Sequence, residues 1–466
     1  MKKKIAIITG NFFVLHSGHI RLFKFAKEYA DFLYVGVNRN SISSKTNPPE
    51  DRLLSIQNCQ LVDSCEIINS LKSYIKKIKP DIIVKGSEFR NKNNEEQFLK
   101  KKFNFELLFS KGVSGDIKNL LDKPKEKKKD FKLNLPFDYV RRHNIDNALI
   151  KKSYKNFHKT NVAVFGDIII DEYIECENEG ISREDVAIVV NKKNKKRYIG
   201  GASIVAAHLK SFGANVNFFS VGGIDQKYNF VKNTLTKQKI NIFINQEVHR
   251  KTSLKQRYRV NGKSLLRVNE ISNHPILINT ENEILNNFSK IIKNINLVVF
   301  SDFNYGLLTN SLIKKVISLC KKNKIKIVAD CQSSSQIGDI TKYKYVDLLT
   351  PTEHELRIGL KNNNDNLTRL SNKIIDMNSI KHLIVKLGAN GNLTSRLLNK
   401  NNLITDELPS LALDYVDLMG AGDALLASSS LALSTNLDIW HSSFVGSIAS
   451  AIQINTEGNK PISLKQ

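Results

Sequence analysis

The chain opens with the stretch Ile5-Ala-Ile-Ile-Thr-Gly10-Asn11-Phe12-Phe-Val-Leu-His16-Ser-Gly18-His19, in which an apolar run meets a glycine turn and a helix-forming segment. A second glycine turn, near the other end of the chain, reads Asp417-Leu-Met-Gly420-Ala421-Gly422-Asp423 and also precedes a helix-forming segment. The first turn of a helix leaves backbone N–H groups unpaired, and these groups and the helix dipole favour bound phosphate. The strand-turn-helix order therefore predicts an α/β fold with a phosphate site near each end of the chain.

Length and composition predict a globular protein of more than one domain. With 466 residues, of which 41% are hydrophobic, the chain can form two or three domains with their own cores, and we predict two unequal ones. No apolar run reaches the roughly 18 residues that cross a bilayer, so we expect no membrane span. The five cysteines are scattered and form no C-x-x-C or Cys/His pattern that would hold zinc, which predicts reduced thiols in a cytoplasmic protein.

The formal net charge of +26 is the feature that favours a different class of protein, because lysine-rich chains often bind nucleic acid or anionic membranes. The lysines are spread along the whole chain and are seldom interleaved with aromatic residues. This distribution favours small anionic substrates, and it leaves a nucleic-acid-binding protein as an alternative.

Residues 1–121 alternate apolar strand-like segments with amphipathic helix-like segments, which is typical of a parallel sheet with helices on both faces. We predict a Rossmann-like domain whose ligand site lies at the C-terminal ends of the strands. The predicted segments are Ile5–Ile8, Ile20–Tyr29, Phe32–Val37, Arg52–Cys59, Leu71–Ile78, Ile82–Val84 and Phe105–Leu108.

The pattern lapses over residues 122–159, which we interpret as a connection between domains. This segment contains the charged run Lys123–Asp130 and a predicted helix over Tyr139–Phe157. A second α/β domain is predicted over residues 160–466. Within it, Tyr173–Val190 and Tyr198–Gly200 alternate without an intervening helix, which predicts a small projecting β-sheet that serves as a lid.

The spacing of the two N-terminal histidines indicates phosphate chemistry. His16 and His19 are three residues apart at the start of a helix, so both imidazoles point to one side and can donate to phosphate oxygens as negative charge grows. Gly10 permits a tight exit from the strand, and Gly18 leaves room for phosphate beside the backbone.

This region resembles the cytidylyltransferase-like nucleotidyltransferases, including the adenylyltransferase half of the ADP-heptose synthase family, over about residues 4–120. Further matching stretches are Val35-Gly-Val-Asn38, Glu50-Asp-Arg52, Val62-Asp63 and Pro80-Asp-Ile-Ile-Val-Lys85-Gly86. The resemblance implies that a sugar-phosphate oxygen attacks the α-phosphorus of a nucleoside triphosphate, ATP or CTP. It implies that the histidines contact the triphosphate and that Lys45 neutralises it. The implied nucleotide-binding residues are Gly10, Asn11, Phe12, Gly18, Lys45, Arg52, Lys85 and Gly86.

The C-terminal glycine turn indicates a phosphoryl-transfer site. The N–H groups of Gly420, Ala421 and Gly422 can form an anion hole, and Asp423 would then lie beside an acceptor hydroxyl as a general base. An aspartate at this position can equally be a helix N-cap, and the residues alone leave both interpretations open.

Seven ordered motifs resemble those of the PfkB (ribokinase-like) sugar kinases, particularly the kinase half of the ADP-heptose synthase family, over about residues 160–460. They are Gly166-Asp167-Ile-Ile-Ile-Asp171, Ile181-Ser182-Arg-Glu184, Gly200-Gly201-Ala202, Thr252–Arg257 with Arg267, Ser301-Asp302, Thr350-Pro351-Thr-Glu-His-Glu355 and Gly388-Ala-Asn-Gly391. The resemblance implies a ribokinase-like fold with a β-lid and a dimer formed through that lid. It implies nucleotide binding by Gly388, Gly391 and Glu355, with Mg²⁺ brought in by the nucleotide near Glu355 and no direct metal cluster. The implied sugar-binding residues are Asp167, Asp171, Gly200, Gly201, Arg257 and Arg267.

Several positions differ from these family patterns. Phe13 replaces an aspartate in the N-terminal motif. In the kinase region, the differing residues are Ile204 for a sugar-contacting asparagine, Leu418-Met419 for smaller residues, Thr352 for an asparagine and Cys331-Gln332 for a proline-lysine pair. Loss of polar contacts to a sugar predicts a changed specificity. The nucleotidyltransferase region also precedes the kinase region here, which reverses the order in bacterial ADP-heptose synthases.

We therefore expect a cytoplasmic bifunctional transferase that makes a nucleotide-activated sugar for surface polysaccharide or lipopolysaccharide. Its expected ligands are a sugar or sugar phosphate, ATP or CTP, and Mg²⁺, with neither a membrane nor nucleic acid as a partner. One alternative keeps the nucleotidyltransferase active and treats the kinase-like region as a non-catalytic sugar-binding or dimerisation domain. The other is the nucleic-acid-binding protein that the charge allows.

Overall fold

The computed structural model describes residues 3–12, 17–39, 48–57, 59–86, 89, 94–100, 102–110, 133–182, 187–333, 335–399 and 402–465. The chain divides into two compact units. The N-terminal unit comprises Met1–Glu126, Ile174–Asn194 and Tyr258–Leu266, and the C-terminal unit comprises Lys127–Tyr173, Lys195–Arg257 and Arg267–Gln466. Among the described residues, no helix is both long enough and apolar enough to cross a bilayer.

The N-terminal unit alternates strands and helices along the chain. They are β1 (Ile5–Gly10), α1 (Ser17–Tyr29), β2 (Phe32–Asn38), α2 (Pro49–Gln57), β3 (Ser64–Ile68), α3 (Leu71–Ile78), β4 (Ile82–Lys85), α4 (Glu95–Lys100) and β5 (Glu106–Phe109). The five strands form a parallel sheet in the order β3-β2-β1-β4-β5. The strand order reverses between β1 and β4, and ligands of open α/β sheets bind at such a point.

Side chains alternate between the two faces of this sheet along each strand, and apolar clusters bury both faces. Ala6 and Ile8 of β1 pack in one apolar cluster with Phe23, and Ile7 packs in the other with Tyr74. The unit therefore has its own core.

The C-terminal unit contains the remaining elements. They are α5 (Phe137–Arg142), α6 (Asn147–Asn156), β6 (Asn161–Gly166), β7 (Ile168–Ile181), β8 (Ile188–Gly201), α7 (Ala202–Ser211), β9 (Asn215–Gly223), α8 (Gln226–Lys237), β10 (Asn241–Glu247), β11 (Ser253–Val260), β12 (Lys263–Glu270), α9 (Ile278–Ile291), β13 (Leu297–Asp302), α10 (Asn310–Lys322), β14 (Lys326–Cys331), β15 (Leu348–Leu349), α11 (Glu353–Leu360), α12 (Leu367–Asn378), β16 (His382–Lys386), β17 (Asn392–Asn399), β18 (Asn402–Leu408), α13 (Ala421–Ser434) and α14 (Ile439–Ile454). The end of β7, the start of β8, the end of β11 and the start of β12 fall in the N-terminal unit.

Nine strands form the main sheet of this unit, in the order β10-β9-β6-β13-β14-β15-β16-β17-β18. In this order, the first seven strands, from β10 through β16, run parallel to one another. The last two, β17 and β18, complete the sheet as antiparallel strands. Apolar clusters cover both faces, with the largely buried helices α7, α13 and α14 in one of them. The C-terminal ends of the parallel strands meet at one edge, where the sequence places Asp302, Asp330 and Lys386.

A separate four-stranded sheet has the order β12-β11-β7-β8. It contains the two segments from which a small projecting sheet was expected, and it adds the β11–β12 pair. The α/β class is confirmed by these sheets.

The segment ahead of β6 packs on the C-terminal unit. Tyr139, Ile150 and Phe157 belong to its core, and the Tyr139 hydroxyl donates to the Trp440 carbonyl at 3.1 Å. The expected single helix over Tyr139–Phe157 is wrong, since the structure has two helices there, α5 and α6. Asn144 adopts a left-handed φ of 47°, and Asp146 then caps α6 by accepting from the Ala148 N–H at 2.7 Å.

Candidate functional sites

The loop after β1 is shaped by a buried phenylalanine. Phe12 has a φ of 45°, and its ring lies 5.1 Å from the His19 ring and 6.0 Å from the Phe23 ring. A Cβ atom on Gly10 would lie 3.2 Å from the Phe12 ring, so the glycine gives that ring its space. The Phe12 side chain thus holds the turn from within the core, and only its backbone is available to a ligand.

Arg52 holds the main chain of the same loop. This guanidinium is buried, and it donates to the Asn11 carbonyl at 2.5 Å and to the Arg39 carbonyl at 3.5 Å. Burial lowers its pKa, and the nearby Glu50 opposes that shift. The Asn11 side chain accepts from the Asn38 amide at 3.1 Å. The positive charge of Arg52 is therefore fixed next to the main chain of Asn11.

The neighbouring strand β4 ends at Lys85, on the same edge of the sheet because β1 and β4 are parallel. The Lys85 ammonium contacts Glu96 at 2.6 Å and lies 4.6 Å from the Phe89 ring centroid, and Gly86 follows directly. Gly18 and His19 are half-buried in the first turn of α1. The structure thus brings Gly10, Asn11, Lys85 and Arg52 to the end of β1, whereas His16 and Lys45 lie outside the described residues.

The glycine turn of the C-terminal unit forms the start of α13. Gly420 is the N-cap with a φ of 75°, and Asp423 lies buried within the first turn. Asp423 is therefore not the N-cap, and its Oδ1 accepts from the Gln332 amide at 3.0 Å. Burial and, after it, Asp330 raise the pKa of Asp423 to about 7, against the opposing effects of Lys386 and Gln332.

A buried ion pair lies beside this turn. The Lys386 ammonium contacts both carboxylate oxygens of Asp330, at 2.8 and 3.0 Å, and a Cβ atom on Gly422 would lie 3.4 Å from it. The Gln332 amide links Asp330, at 3.3 Å, with Asp423. Burial acts to lower the pKa of Lys386, but Asp330, Glu355 and Asp423 together outweigh it and the net pKa is raised.

Glu355 anchors the adjacent strand ends through a capping box. Its Oε2 accepts from the Thr352 N–H at 2.7 Å, and the Thr352 hydroxyl accepts from the Glu355 N–H at 3.2 Å. Its Oε1 accepts from the Ser333 N–H at 2.9 Å. Gly388 and Gly391, with φ angles of 60° and 92°, form the turn that follows Lys386.

Asp171, which the sequence assigns to the sugar, lies among charged and polar side chains. The residue is buried, and its Oδ1 has no hydrogen-bond partner. Burial raises its pKa, while Arg257, Lys255 and a hydrogen bond from Asn459 oppose the shift. A Cβ atom on Gly200 would lie 2.2 Å from Asp171 Oδ2, so only glycine fits beside this carboxylate.

Asp167 has a different environment. Its carboxylate accepts from the backbone N–H groups of Phe303, Tyr305 and Leu307 at 3.1, 3.2 and 3.3 Å. Burial and, after it, Asp302 raise its pKa to about 6. The glycine at position 201 has a φ of 59°, and a Cβ atom there would lie 2.5 Å from the Asp167 carbonyl. Asp167 thus fixes the backbone of residues 303–307, and Gly201 allows the chain to pass close to the Asp167 carbonyl.

Two arginines converge beside Asp171. Burial and the charge of Arg257 lower the pKa of Arg267, and Tyr173 and Asp171 act in the opposite direction. Arg257 Nε is buried without a partner, and its Nη2 contacts the sulfur of Met419 at 2.7 Å. A buried unpaired N–H is costly. The same guanidinium acts electrostatically on Asp171, whose Oδ1 is also unpaired.

Sequence reasoning missed three polar residues of the C-terminal site, Asp330, Lys386 and Asn459. It named Lys255 and Gln332 only as parts of longer motifs and gave neither a role. Asn459 Oδ1 is buried without a partner, and a Cβ atom on Gly420 would lie 2.1 Å from it. Lys386 carried a signal, since it is a charged residue that directly follows the apolar run Leu383-Ile-Val385. Asn459 lies in an irregular segment that has no pattern.

Comparisons with known proteins match the two regions of the chain to two different families. Residues 159–465 match the model of the pfkB family carbohydrate kinases, and residues 7–161 match the cytidylyltransferase-like model. The chain is 30% identical over 311 residues to the bifunctional protein HldE of Campylobacter jejuni strain RM1221, and 30% identical over 315 residues to that of Aliarcobacter butzleri strain RM4018. These matches cover 66% of this chain and 64% and 63% of the relatives, so the chain spans just under two thirds of their length.

Solved structures show the same C-terminal fold. Ribokinase from Arabidopsis thaliana has a TM-score of 0.51 at 17% identity and covers 65% of this chain and 96% of its own. Phosphofructokinase-2 from Escherichia coli has a TM-score of 0.53 at 13% identity and covers 66% of this chain and 96% of its own. The ribokinase-like fold and both resemblances are thereby confirmed. The chain belongs to the pfkB family of carbohydrate kinases, and it carries a cytidylyltransferase-like region ahead of its kinase region.

Proposed function

We propose that the C-terminal unit transfers the γ-phosphoryl group of ATP to a hydroxyl group of a sugar, with Asp423 as the general base. The observation that supports this most is the buried Asp423 carboxylate on the first turn of α13, with a pKa of about 7. A base works best when its pKa lies near the working pH. The backbone N–H groups of residues 420–422 would hold the transferred group.

The sugar that fits this site carries a phosphate group. Arg257 and Arg267 place two guanidinium groups beside Asp171, and guanidinium groups bind phosphate in a bidentate manner. Asp171 and Asn459 supply unpaired oxygens for sugar hydroxyls. We assign Asp171 and Gly200 to the sugar pocket, and we assign Asp167 and Gly201 to its backbone support. Ile204 is fully buried in the core, which supports a specificity that differs from the usual one.

The described residues fit a Mg²⁺ ion that arrives with the nucleotide. No group of three metal-binding side chains converges among them, and both Glu355 oxygens accept backbone N–H groups. Mg²⁺ usually keeps several waters and is bound through substrate phosphates and one or two carboxylates. Glu355 would hold it through water, and the ion would neutralise phosphate charge.

We further propose that the N-terminal unit transfers a nucleotidyl group from ATP or CTP to a sugar phosphate. Gly18 lies in the first turn of α1, where backbone N–H groups can bind phosphate. Arg52 holds the Asn11 carbonyl at the end of β1, and Lys85, which pairs with Glu96, ends the neighbouring strand. His19, together with His16, would stabilise charge on the triphosphate. Lys45 would neutralise the same group, as the family resemblance implies.

Together these activities would make a nucleotide-activated sugar for surface polysaccharide or lipopolysaccharide. The name of the two relatives, bifunctional protein HldE, supports this combination. All five cysteines are free, which supports a cytoplasmic site of action. Exposed apolar residues on β12, namely Leu265, Leu266 and Val268, support a dimer through the small sheet. Because α5 and α6 pack on the kinase core, we assign them functionally to that unit.

Asp423→Asn tests the kinase proposal. The wild-type chain should transfer phosphate from ATP to at least one member of a panel of C6–C7 sugar phosphates, and the variant should lose this transfer about 10²–10⁴-fold. Unchanged transfer in the variant would contradict the role of Asp423. Wild-type chain that binds the sugar phosphate without any transfer would support the non-catalytic alternative.

A further inference from the structure

Lys386 lies among three buried carboxylates of the kinase site. Its ammonium pairs with Asp330, and the charges of Glu355 and Asp423 add to Asp330 in raising its pKa. Gln332, which links Asp330 to Asp423, carries no charge. Lys386 therefore interacts with more than one carboxylate of this cluster.

The lysine also faces the turn at the start of α13. Its Nζ is 3.4 Å from the position that a Cβ atom on Gly422 would occupy, so glycine leaves open space between them. An ammonium group has three N–H donors, and two contacts to one carboxylate leave at least one of them for another acceptor. The Lys386 ammonium and the turn that carries Gly422 are therefore close neighbours.

We propose that Lys386 is a phosphate-binding residue of the kinase site, whose ammonium contacts the γ-phosphoryl group held at the Gly420–Gly422 turn. This inference rests on the kinase function proposed above. In the transfer, the sugar oxygen forms a bond to the γ-phosphorus while the bond from that phosphorus to the β–γ bridging oxygen breaks. The hydroxyl proton goes to Asp423, the nucleoside diphosphate leaves, and Lys386 keeps its proton.

Asp330 then acts as a positioning residue. The ion pair holds the Lys386 ammonium near the Gly420–Gly422 turn. It also favours the charged form of the lysine in a site where burial alone would favour the neutral amine. Negative charge grows on the phosphoryl oxygens during transfer, so a fixed cation at this point lowers the barrier.

The test compares Lys386→Met with Lys326→Met. Lys326 is a matched control, because it is a part-buried lysine at the opposite end of β14 that donates to the Leu433 carbonyl at 2.7 Å. Breaking a buried pair leaves an uncompensated charge and can unfold a protein, so a double variant, Lys386→Met with Asp330→Asn, removes both charges. Melting temperatures establish which variants fold.

The first measurement is equilibrium binding of a non-hydrolysable ATP analogue and of ADP. The preference for the triphosphate is the ratio of the Kd of ADP to the Kd of the ATP analogue. We expect this ratio to fall at least about tenfold in Lys386→Met and in the double variant, which corresponds to about 1.4 kcal/mol. Lys326→Met should keep the wild-type preference. A preference unchanged in both Lys386 variants would overturn the proposal, and this readout does not require the sugar or turnover.

The second measurement is the pH dependence of phosphoryl transfer. Lys386, Asp330 and Asp171 are the charged groups that act on Asp423, and Lys386 is the one that lowers its pKa. Lys386→Met should lower kcat about 10²–10³-fold and move the midpoint of the profile to higher pH, whereas Lys386→Arg should recover part of both. A loss of kcat without a shifted midpoint or an altered triphosphate preference would show a structural role only. Failure of the kinase proposal itself would instead appear as a wild-type chain without transfer.

Discussion

Under the proposed kinase function, Asp423 should make phosphoryl transfer depend on pH near neutrality. Its raised pKa of about 7 means that the carboxyl group is protonated below this pH and cannot accept the hydroxyl proton. We predict that kcat/KM for the sugar phosphate rises as pH increases through about 7 and then levels off. Rates measured across neutral pH at saturating ATP check this, and a flat profile would exclude Asp423 as the titrating base.

Asp171 and Asp167 should respond differently to the same substitution. Asp171→Asn should raise the KM for the sugar with little loss of stability, because the carboxylate has an unpaired buried oxygen. Asp167→Asn should cost about 1–3 kcal/mol of stability, because three backbone N–H groups depend on its oxygens. Thermal unfolding and sugar kinetics of the two variants separate these roles, and similar behaviour of both would contradict the assignment.

At the residue scale the sequence could locate both aspartates but not distinguish them. The residues that bind Asp167 lie 136 to 140 positions further along the chain, and no local pattern reports such contacts. The same limit applies to Lys386, whose partner Asp330 is on another strand. Asp423 was predictable because its glycine turn and helix are local.

At the scale of elements, the capping box of α11 connects stability with nucleotide binding. Thr352→Ala should cost about 1 kcal/mol of stability, and it should also raise the KM for ATP because it loosens the helix start that carries Glu355. Asn366→Ala is the control, because Asn366 caps α12 by accepting from the Arg369 N–H at 2.9 Å. It should cost similar stability without affecting the KM for ATP, and equal KM values in both variants would contradict the role of the cap.

Elements with a strong apolar pattern were predicted closely, while elements with a weak apolar pattern were missed. The segment Leu71–Ile78 has the predicted bounds, and Ile82–Val84 gained one residue at its end. Strand β3 was missed because its apolar periodicity is weak, and Ile68 is its only buried residue. The paired strands β17 and β18 were also missed, because polar residues interrupt their apolar pattern.

At the scale of the whole molecule, each unit has its own core, so the two proposed activities should be separable. His19→Ala should abolish nucleotidyl transfer without changing phosphoryl transfer, and Asp423→Asn should do the reverse. Assays of each step with its own substrate check this. Loss of both activities in either variant, with melting temperature unchanged, would contradict independent sites.

The central claim is that one chain both phosphorylates a sugar and attaches a nucleotide to a sugar phosphate. Mass spectrometry of products tests it most directly, after incubation of the wild-type chain, His19→Ala and Asp423→Asn with ATP, CTP, Mg²⁺ and a panel of C6–C7 sugar phosphates and sugar 1-phosphates. We predict that the wild-type chain yields one product with an added phosphoryl group and another with an added nucleotidyl group, and that each variant loses only its own product. A wild-type chain that yields neither product, or variants that retain both, would contradict the account.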